Sequence, residues 1–340
     1  SSVPGPDRTA AIAARDRSDQ LIKPAGSLGA LETLIERWAA VTGAPPPADV
    51  RAGVLVCAAD HGHVVHGTSL FDAEVTGQVT AATARGDSAA GVLARQGGHR
   101  LVVADVGLAC PTPHGVRDAK VARGTADLRS GPALTRNDVE AALTAGAELA
   151  GEALAGEAGC LVVGEIGIGN TTTAAALLCV LTGADPVAAV GRGTGLDAAG
   201  LERKRDVVRA AVARHGLLAD GPAALSAVGG LELTALAGAM IEAARRRIPV
   251  ILDGYATAVA ALAAVRIEPA VAEVLLASHR SAEQGHRLAL DELGLEPLLD
   301  LRLRLGEASG ALLALPLVAA AGALHAEMAT FAEAGVSGPR

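Results

Sequence analysis

A series of short apolar runs, each closing on a polar residue or a glycine, constrains this chain more than any other feature. They are GVLVCAAD at 53–60, RLVVADVG at 100–107, CLVVGEIG at 160–167, IPVILDG at 248–254 and EVLLASH at 273–279. Each has the length of a strand, and most are apolar on both faces, as strands buried within a parallel sheet are. Ala-rich segments of helical length lie at 73–96, 137–157, 170–183, 197–215, 232–246, 255–265 and 281–293. Strand and helix in alternation predict an α/β fold with a doubly wound, mainly parallel sheet. Ligands of such sheets bind beyond the carboxyl ends of the strands. Those ends carry Asp60–His61, Asp105, Glu165, Asp253 and Ser278–His279. Asp60 and Asp253 are assigned to the substrate site on that ground.

The two ends of the chain read differently. Residues 8–42 predict one or two helices broken at KPAGSLG (23–29), GAPPPAD (43–49) is a linker, and 308–334 predict a long Ala-rich helix or a pair. The expected organisation is an α/β nucleotide-binding domain over 49–307, with segments 1–48 and 308–340 packing together as a small helical domain. The tract ALLALPLVAAAGAL (311–324) is shorter than a membrane span and contains Pro316. It is expected to be a buried helix, with Pro316 in its first turns or at a kink.

Composition narrows the function. Half of the residues are hydrophobic but only 1% are aromatic, and the formal net charge is −8. A core of small aliphatic side chains can be buried, while stacking platforms and basic stripes for nucleic acid are missing. Cys57, Cys110, Cys160 and Cys179 form no CxxC pair, and three of them lie in or beside apolar runs. They read as free thiols of a reducing cytosol. The polar start SSVPGPDRTA has no signal-peptide pattern, so a cytoplasmic protein without a membrane span is expected.

The stretch GEIGIGNTTTAAA at 164–176 sits at a strand-to-helix junction. Gly167 and Gly169 let backbone N–H groups converge on an anion, Asn170, Thr171 and Thr172 offer polar side chains, and the helix N-terminus favours negative charge. A phosphate monoester is one occupant; a tight turn with a threonine cap is the other reading. No lysine follows as a Walker motif requires, and the third glycine of a dinucleotide fingerprint is replaced by Thr172. Glu165 beside a phosphate makes sense if the ligand also carries hydroxyls or a developing positive charge, as a ribose phosphate does at its anomeric carbon. Alternatively it bonds loop N–H groups.

Other constellations are less specific. DHGHVVH (60–66) could hold a metal but fits no helix-borne zinc signature. SHRSAEQGH (278–286) lacks a GxSxG elbow, and reads as substrate contact or helix capping. GRGTGLD (191–197) is a second glycine-rich loop, after which Lys204 could reach an anion. In LRLGEASGA (303–311), Glu307 stands among glycines and leucines. Such surroundings raise a carboxyl pKa and make a general base near neutrality; the other reading is an acid at a helix N-terminus.

Together, KPAGSLG, AADHG (58–62), EVTGQV (74–79), GEIGIGNTT (164–172), GRGTGLD, LDGYATAVAAL (252–262), SHRSAEQGH and RLGEASGA (304–311) occur in an order that resembles the nicotinate-nucleotide:dimethylbenzimidazole phosphoribosyltransferase family of cobalamin nucleotide-loop assembly. The resemblance spans nearly the whole chain. It implies transfer of phosphoribose from nicotinate mononucleotide to 5,6-dimethylbenzimidazole by a homodimer that needs no cofactor or metal. It implies Glu307 as general base, the 164–172 loop around phosphate and ribose, Lys204 near the phosphate, and Gln78, Leu305 and Ser281 around the aromatic base and nucleotide. This chain departs from the family pattern at Ala308, His63 and His66, and at Asp72 or Ala73, all near the base pocket. Related acceptors such as adenine or a phenol, a silent nucleotide-binding paralogue, and a metal-dependent hydrolase using Asp60, His61 and His63 are the competing expectations.

Overall fold

A computed structural model describes residues 3–338 of the chain; the predicted terminal segments extend to positions 1–2 and 339–340, which lie outside it. Strands β1 (Ala52–Ala59), β2 (Arg100–Gly107), β3 (Arg117–Asp118), β4 (Cys160–Ile166), β5 (Val250–Leu252) and β6 (Leu275–Ala277) form a parallel sheet in the order β3-β2-β1-β4-β5-β6. The helices are α1 (Arg8–Gln20), α2 (Ala30–Thr42), α3 (Glu74–Arg85), α4 (Ala89–Gly97), α5 (Arg136–Ala153), α6 (Asn170–Thr182), α7 (Pro186–Ala189), α8 (Ala198–His215), α9 (Gly221–Val228), α10 (Leu231–Arg245), α11 (Tyr255–Ile267), α12 (Gln284–Leu293), α13 (Ser309–Glu327) and α14 (Phe331–Ala334). The predicted segment 73–96 is two helices. Gly86 closes α3 with a φ of 85° and Ser88 caps α4 through its side chain.

Every residue of β1 is buried. Leu55, Cys57 and Ala59 join a cluster with Leu149 of α5, Leu178 of α6, Leu236 of α10 and Val259 of α11. Val54, Val56 and Ala58 join a second cluster with Trp38 of α2, Ala94 of α4 and Leu312 and Leu315 of α13. The two sets alternate because successive strand residues face opposite sides. Cys57, Cys160 and Cys179 are buried free thiols, and Cys110 is exposed.

The chain ends meet on the second face. Arg17 donates to the carbonyl of His325 at 2.7 Å, His325 donates from Nε2 to the carbonyl of Ala14 at 3.1 Å, and Leu21 bridges Thr330. Helix α13 is longer than the tract that announced it, and by length and composition it could cross a bilayer. Its apolar residues Leu312, Leu315, Val318 and Ala321 instead belong to the protein core. Pro316 lies inside it, on the exposed side.

The order of strands places a switch at β1 and β4. The chain builds outward from β1 to β2 and β3, then returns to the other side of β1 as β4. Connections therefore diverge at the carboxyl ends of β1 and β4 and leave a crevice there.

Small residues let the helices close on that sheet. A Cβ on Gly146 of α5 would lie 1.7 Å from the carbonyl oxygen of Ala235 on α10, and one on Gly238 of α10 would lie 2.0 Å from that of Leu143 on α5. The clash is with backbone, which no rotamer can relieve. Gly146→Ala should therefore destabilise the protein by about 1–3 kcal/mol despite alanine's better helix propensity. The check is the urea midpoint; an unchanged or raised midpoint would contradict this packing.

Candidate active site

Beyond the carboxyl ends of the strands lies a cavity of about 370 Å³. Its walls come from the segment after β1 (Thr68, Ser69, Phe71, Val75, Thr76, Val79), the end of β4 and its loop (Glu165–Thr171), the turn after β5 (Gly254–Ala256), the segment after β6 (His279, Ser281, Glu283) and residues 304–307. The volume suits a drug-sized ligand.

The loop after β4 is fixed by close approach. A Cβ on Gly167 would lie 2.8 Å from the Ala59 carbonyl oxygen, and one on Gly169 would lie 2.8 Å from Cε1 of His63. Gly169 also has a φ of 88° and begins α6 with no side-chain cap. Thr76 on α3 pins the loop by accepting from the Ile168 N–H at 3.0 Å. The result is an uncapped helix N-terminus opening on the cavity, the arrangement that favours an anion. Lys204 lies behind it, 1% exposed. Its Nζ donates to Thr171 Oγ1 at 2.7 Å and to the Gly191 carbonyl at 3.1 Å, and burial pulls its pKa down to about 8. Its charge is therefore felt at the cavity through Thr171.

Across the cavity, Gly306, Glu307 and Ala308 have φ values of 84°, 60° and 66°. Two consecutive non-glycine residues in the left-handed region are held against their preference. The restraint is Asp253, at the carboxyl end of β5 and 1% exposed. Its Oδ2 accepts from the Ala308 N–H at 3.1 Å and its Oδ1 from those of Gly310 at 2.8 Å and Ala311 at 3.1 Å. Thus Asp253 caps α13 and turns Glu307 towards the cavity. The methyl of Ala308 packs against Gly164, where a Cβ would lie 2.4 Å from the Ala308 nitrogen.

The acids perturb one another. Burial raises the Glu165 carboxyl well above its ordinary range, and Asp253, Glu232 and Glu307 add like-charge repulsion. Burial lifts Asp253 to about 6, against the pull of its backbone donors. Burial also raises Glu307. A cavity bordered by these groups favours positive charge on a guest and contains a carboxylate, Glu307, that burial makes more basic than a free one.

Of the residues assigned from sequence, Glu165, Gly167, Gly169, Asn170, Thr171, Ser281, Leu305 and Glu307 line this one cavity. Thr172, Lys204, Asp253 and Asp60 are buried outside its lining, and Gln78 is exposed outside it. Asp60 accepts from the Ala109 N–H at 2.8 Å and Asp105 from those of Gly107 and Leu108, so both fasten the turn after β2. On α3 the cavity side is Val75 and Val79, one helical turn apart; that i, i+4 spacing was the available signal for them. Among the described residues no three His, Cys, Asp or Glu side chains converge as metal ligands. His61 bonds Glu232, His63 bonds Thr68 and Thr173, and His66 bonds Asp127.

A family model described as phosphoribosyltransferase matches residues 3–336. The chain is 50% identical over 329 residues to nicotinate-nucleotide–dimethylbenzimidazole phosphoribosyltransferase of Bradyrhizobium sp. (strain BTAi1), covering 96% of this chain and 94% of the relative. It is 48% identical to the Chromobacterium violaceum protein of the same name, covering 98% and 97%. The crystal structure of CobT from Thermus thermophilus superposes with a TM-score of 0.91 at 44% identity, over 97% of this chain and all of that one. The fold and the family match are those of a phosphoribosyltransferase. Within that class, the chain belongs to the nicotinate-nucleotide–dimethylbenzimidazole phosphoribosyltransferase family.

The acid cluster has a stability cost that can be measured. Folded Glu165 holds its proton more tightly than the unfolded residue, whose pKa is about 4.3. Its contribution is therefore fully present below that value and is lost as pH rises towards the folded one. Glu165→Gln should raise stability at neutral pH by about 0.5–2 kcal/mol while lowering activity. Thermal melts of both proteins across pH should diverge upward from the free-Glu value; parallel curves would contradict the electrostatics of the cluster.

Proposed function

We propose that this chain transfers the phosphoribosyl group of nicotinate mononucleotide to 5,6-dimethylbenzimidazole with inversion, giving α-ribazole 5′-phosphate and nicotinate for cobalamin biosynthesis. The observation that carries the reading is that one cavity joins an anion cradle (Gly167–Thr171) to a half-buried, raised carboxylate (Glu307) across a space bordered by Glu165. Phosphate at the helix N-terminus fixes the ribose. The anomeric carbon then lies between the two acids.

The substrate's pyridinium is a positively charged leaving group. When its C–N bond breaks, the electron pair stays on nitrogen and nicotinate departs without a proton donor. A ring nitrogen of the acceptor attacks the opposite face of the anomeric carbon, which inverts β to α. The new N-glycosyl bond leaves positive charge on the acceptor ring. Removal of the proton from its other nitrogen by Glu307 discharges it. Glu165 stabilises positive charge as it develops at the anomeric carbon, or holds the ribose hydroxyls. Positioning and electrostatics supply the acceleration.

Ile168, Val75, Val79, Phe71 and Leu305 give the cavity an apolar wall. It favours a methylated, flat acceptor over adenine, whose amine would find few partners there. Leu70, Phe71 and Leu305 are more than half exposed at the rim, which supports a homodimer whose second copy covers them. The unpaired thiols support a cytoplasmic location.

Nicotinate release should require dimethylbenzimidazole and coincide with a new α-ribazole phosphate peak on chromatography. Release without the base would overturn the assignment. Glu307→Gln should lower turnover by about 10²–10⁴-fold, the weight of a general base, with nicotinate mononucleotide affinity within about three-fold of wild type. Unchanged turnover would remove Glu307 from the mechanism. Light scattering should give twice the mass of the 33.7 kDa chain; a monomeric mass would refute the dimer.

A further inference from the structure

A line of buried polar side chains runs from α10 to the cavity wall, and the mechanism above uses none of it. Glu232 Oε1 lies 2.7 Å from His61 Nε2, with both side chains fully buried. His61 Nδ1 lies 3.0 Å from Thr173 Oγ1, and Thr173 Oγ1 lies 3.2 Å from His63 Nε2. His63 Nδ1 lies 3.1 Å from Thr68 Oγ1. Thr68 lines the cavity although only 3% of it is exposed. His63 backs directly on Gly169 of the anion cradle.

Such a chain has two self-consistent polarities, and the far end decides between them. The second oxygen of Glu232 has no hydrogen-bond partner. A bare buried carboxylate is costly, so His61 is its counter-charge: burial opposes the proton on His61, but Glu232 outweighs it and raises the imidazole above its ordinary value. A charged His61 donates from Nδ1 to Thr173. Thr173 must then donate to His63 Nε2. Burial and His61 hold His63 neutral, at about 3. Its single N–H is then on Nδ1 and donates to Thr68. The Thr68 oxygen thereby accepts from inside the protein, and its own O–H is left to point at an acceptor in the cavity.

We propose that Thr68 is a ligand of the nucleotide phosphate and that Glu232, His61, Thr173 and His63 are positioning residues that fix its hydroxyl as a donor. The site would be built for an anionic oxygen beside Gly169 and Thr171. The inference rests on the nicotinate mononucleotide reading and deepens it.

The test compares binding of nicotinate mononucleotide and of nicotinate riboside, which lacks the phosphate, by titration calorimetry. Wild type must first bind the mononucleotide and release nicotinate; failure there refutes the activity, not the relay. Thr68→Val should weaken mononucleotide binding about ten- to hundred-fold, the weight of a hydrogen bond to a charged group. It should leave riboside binding within two-fold and raise KM far more than it lowers kcat, and Thr68→Ser should restore the wild-type values. Glu232→Gln removes the charge that polarises the line, so it should weaken the mononucleotide alone. In the double variant Thr68→Val/Glu232→Gln the two losses should fail to add. Should Glu232→Gln unfold the core, His63→Leu breaks the line nearer its end and serves in the same cycle. Equal losses for both ligands, no loss in Thr68→Val, or full additivity would each overturn the proposal.

Discussion

The carboxylate of Asp253 is the restraint on which the site depends. Three backbone N–H groups at the start of α13 converge on it. They tie the C-terminal helix to the end of a central strand and force the preceding turn into the left-handed region. Together with the bonds of Ser309 to the Gly306 carbonyl, that anchor holds Glu307 and Ala308 at positive φ and gives the Glu307 carboxylate its direction. A buried side chain outside the cavity lining thus orients one inside it, and it does so from the strand end where open α/β sheets collect their ligands.

The same restraint brings like charges together. Glu165, Asp253, Glu307 and Glu232 perturb one another's environment, and burial in a core of small aliphatic side chains leaves little water to screen them. This arrangement opposes stability in the empty protein. It suits a nucleotide whose cationic ring passes its positive charge to the anomeric carbon as it leaves, because the favourable field is present before that charge develops. Close helix packing at Gly146 and Gly238 supplies the rigid frame in which such a cluster can persist.

Much of this was legible along the chain. The apolar runs 53–60, 100–107 and 160–167 correspond within a residue to β1, β2 and β4, because strands buried on both faces leave an uninterrupted hydrophobic record. The glycine-rich turn after β4 was legible because close approach to Ala59 and His63 demands glycine. Edge strand β3 and the short helices α7 and α9 were not, since two exposed residues or helices of four and eight residues carry too little periodicity. Asp253 and Lys204 were legible as polar residues near the site. Their work as a helix cap and as a partner of Thr171 was not, because both act through contacts with segments distant in sequence.

The sequence by itself determined the α/β class, the identity of the strands, the cradle at 167–171 and the candidacy of Glu307 as a base, since periodicity, glycine content and local polarity are properties of neighbouring residues. Only the tertiary structure decided which acids face the cavity and which hold its walls, that Gln78 lies outside the lining while Val75 and Val79 line it, and that His61 and His63 join a buried line ending at Thr68. The physical reason is that direction and pairing of a polar side chain are set by what burial leaves it to bond with, and that partner comes from elsewhere in the chain.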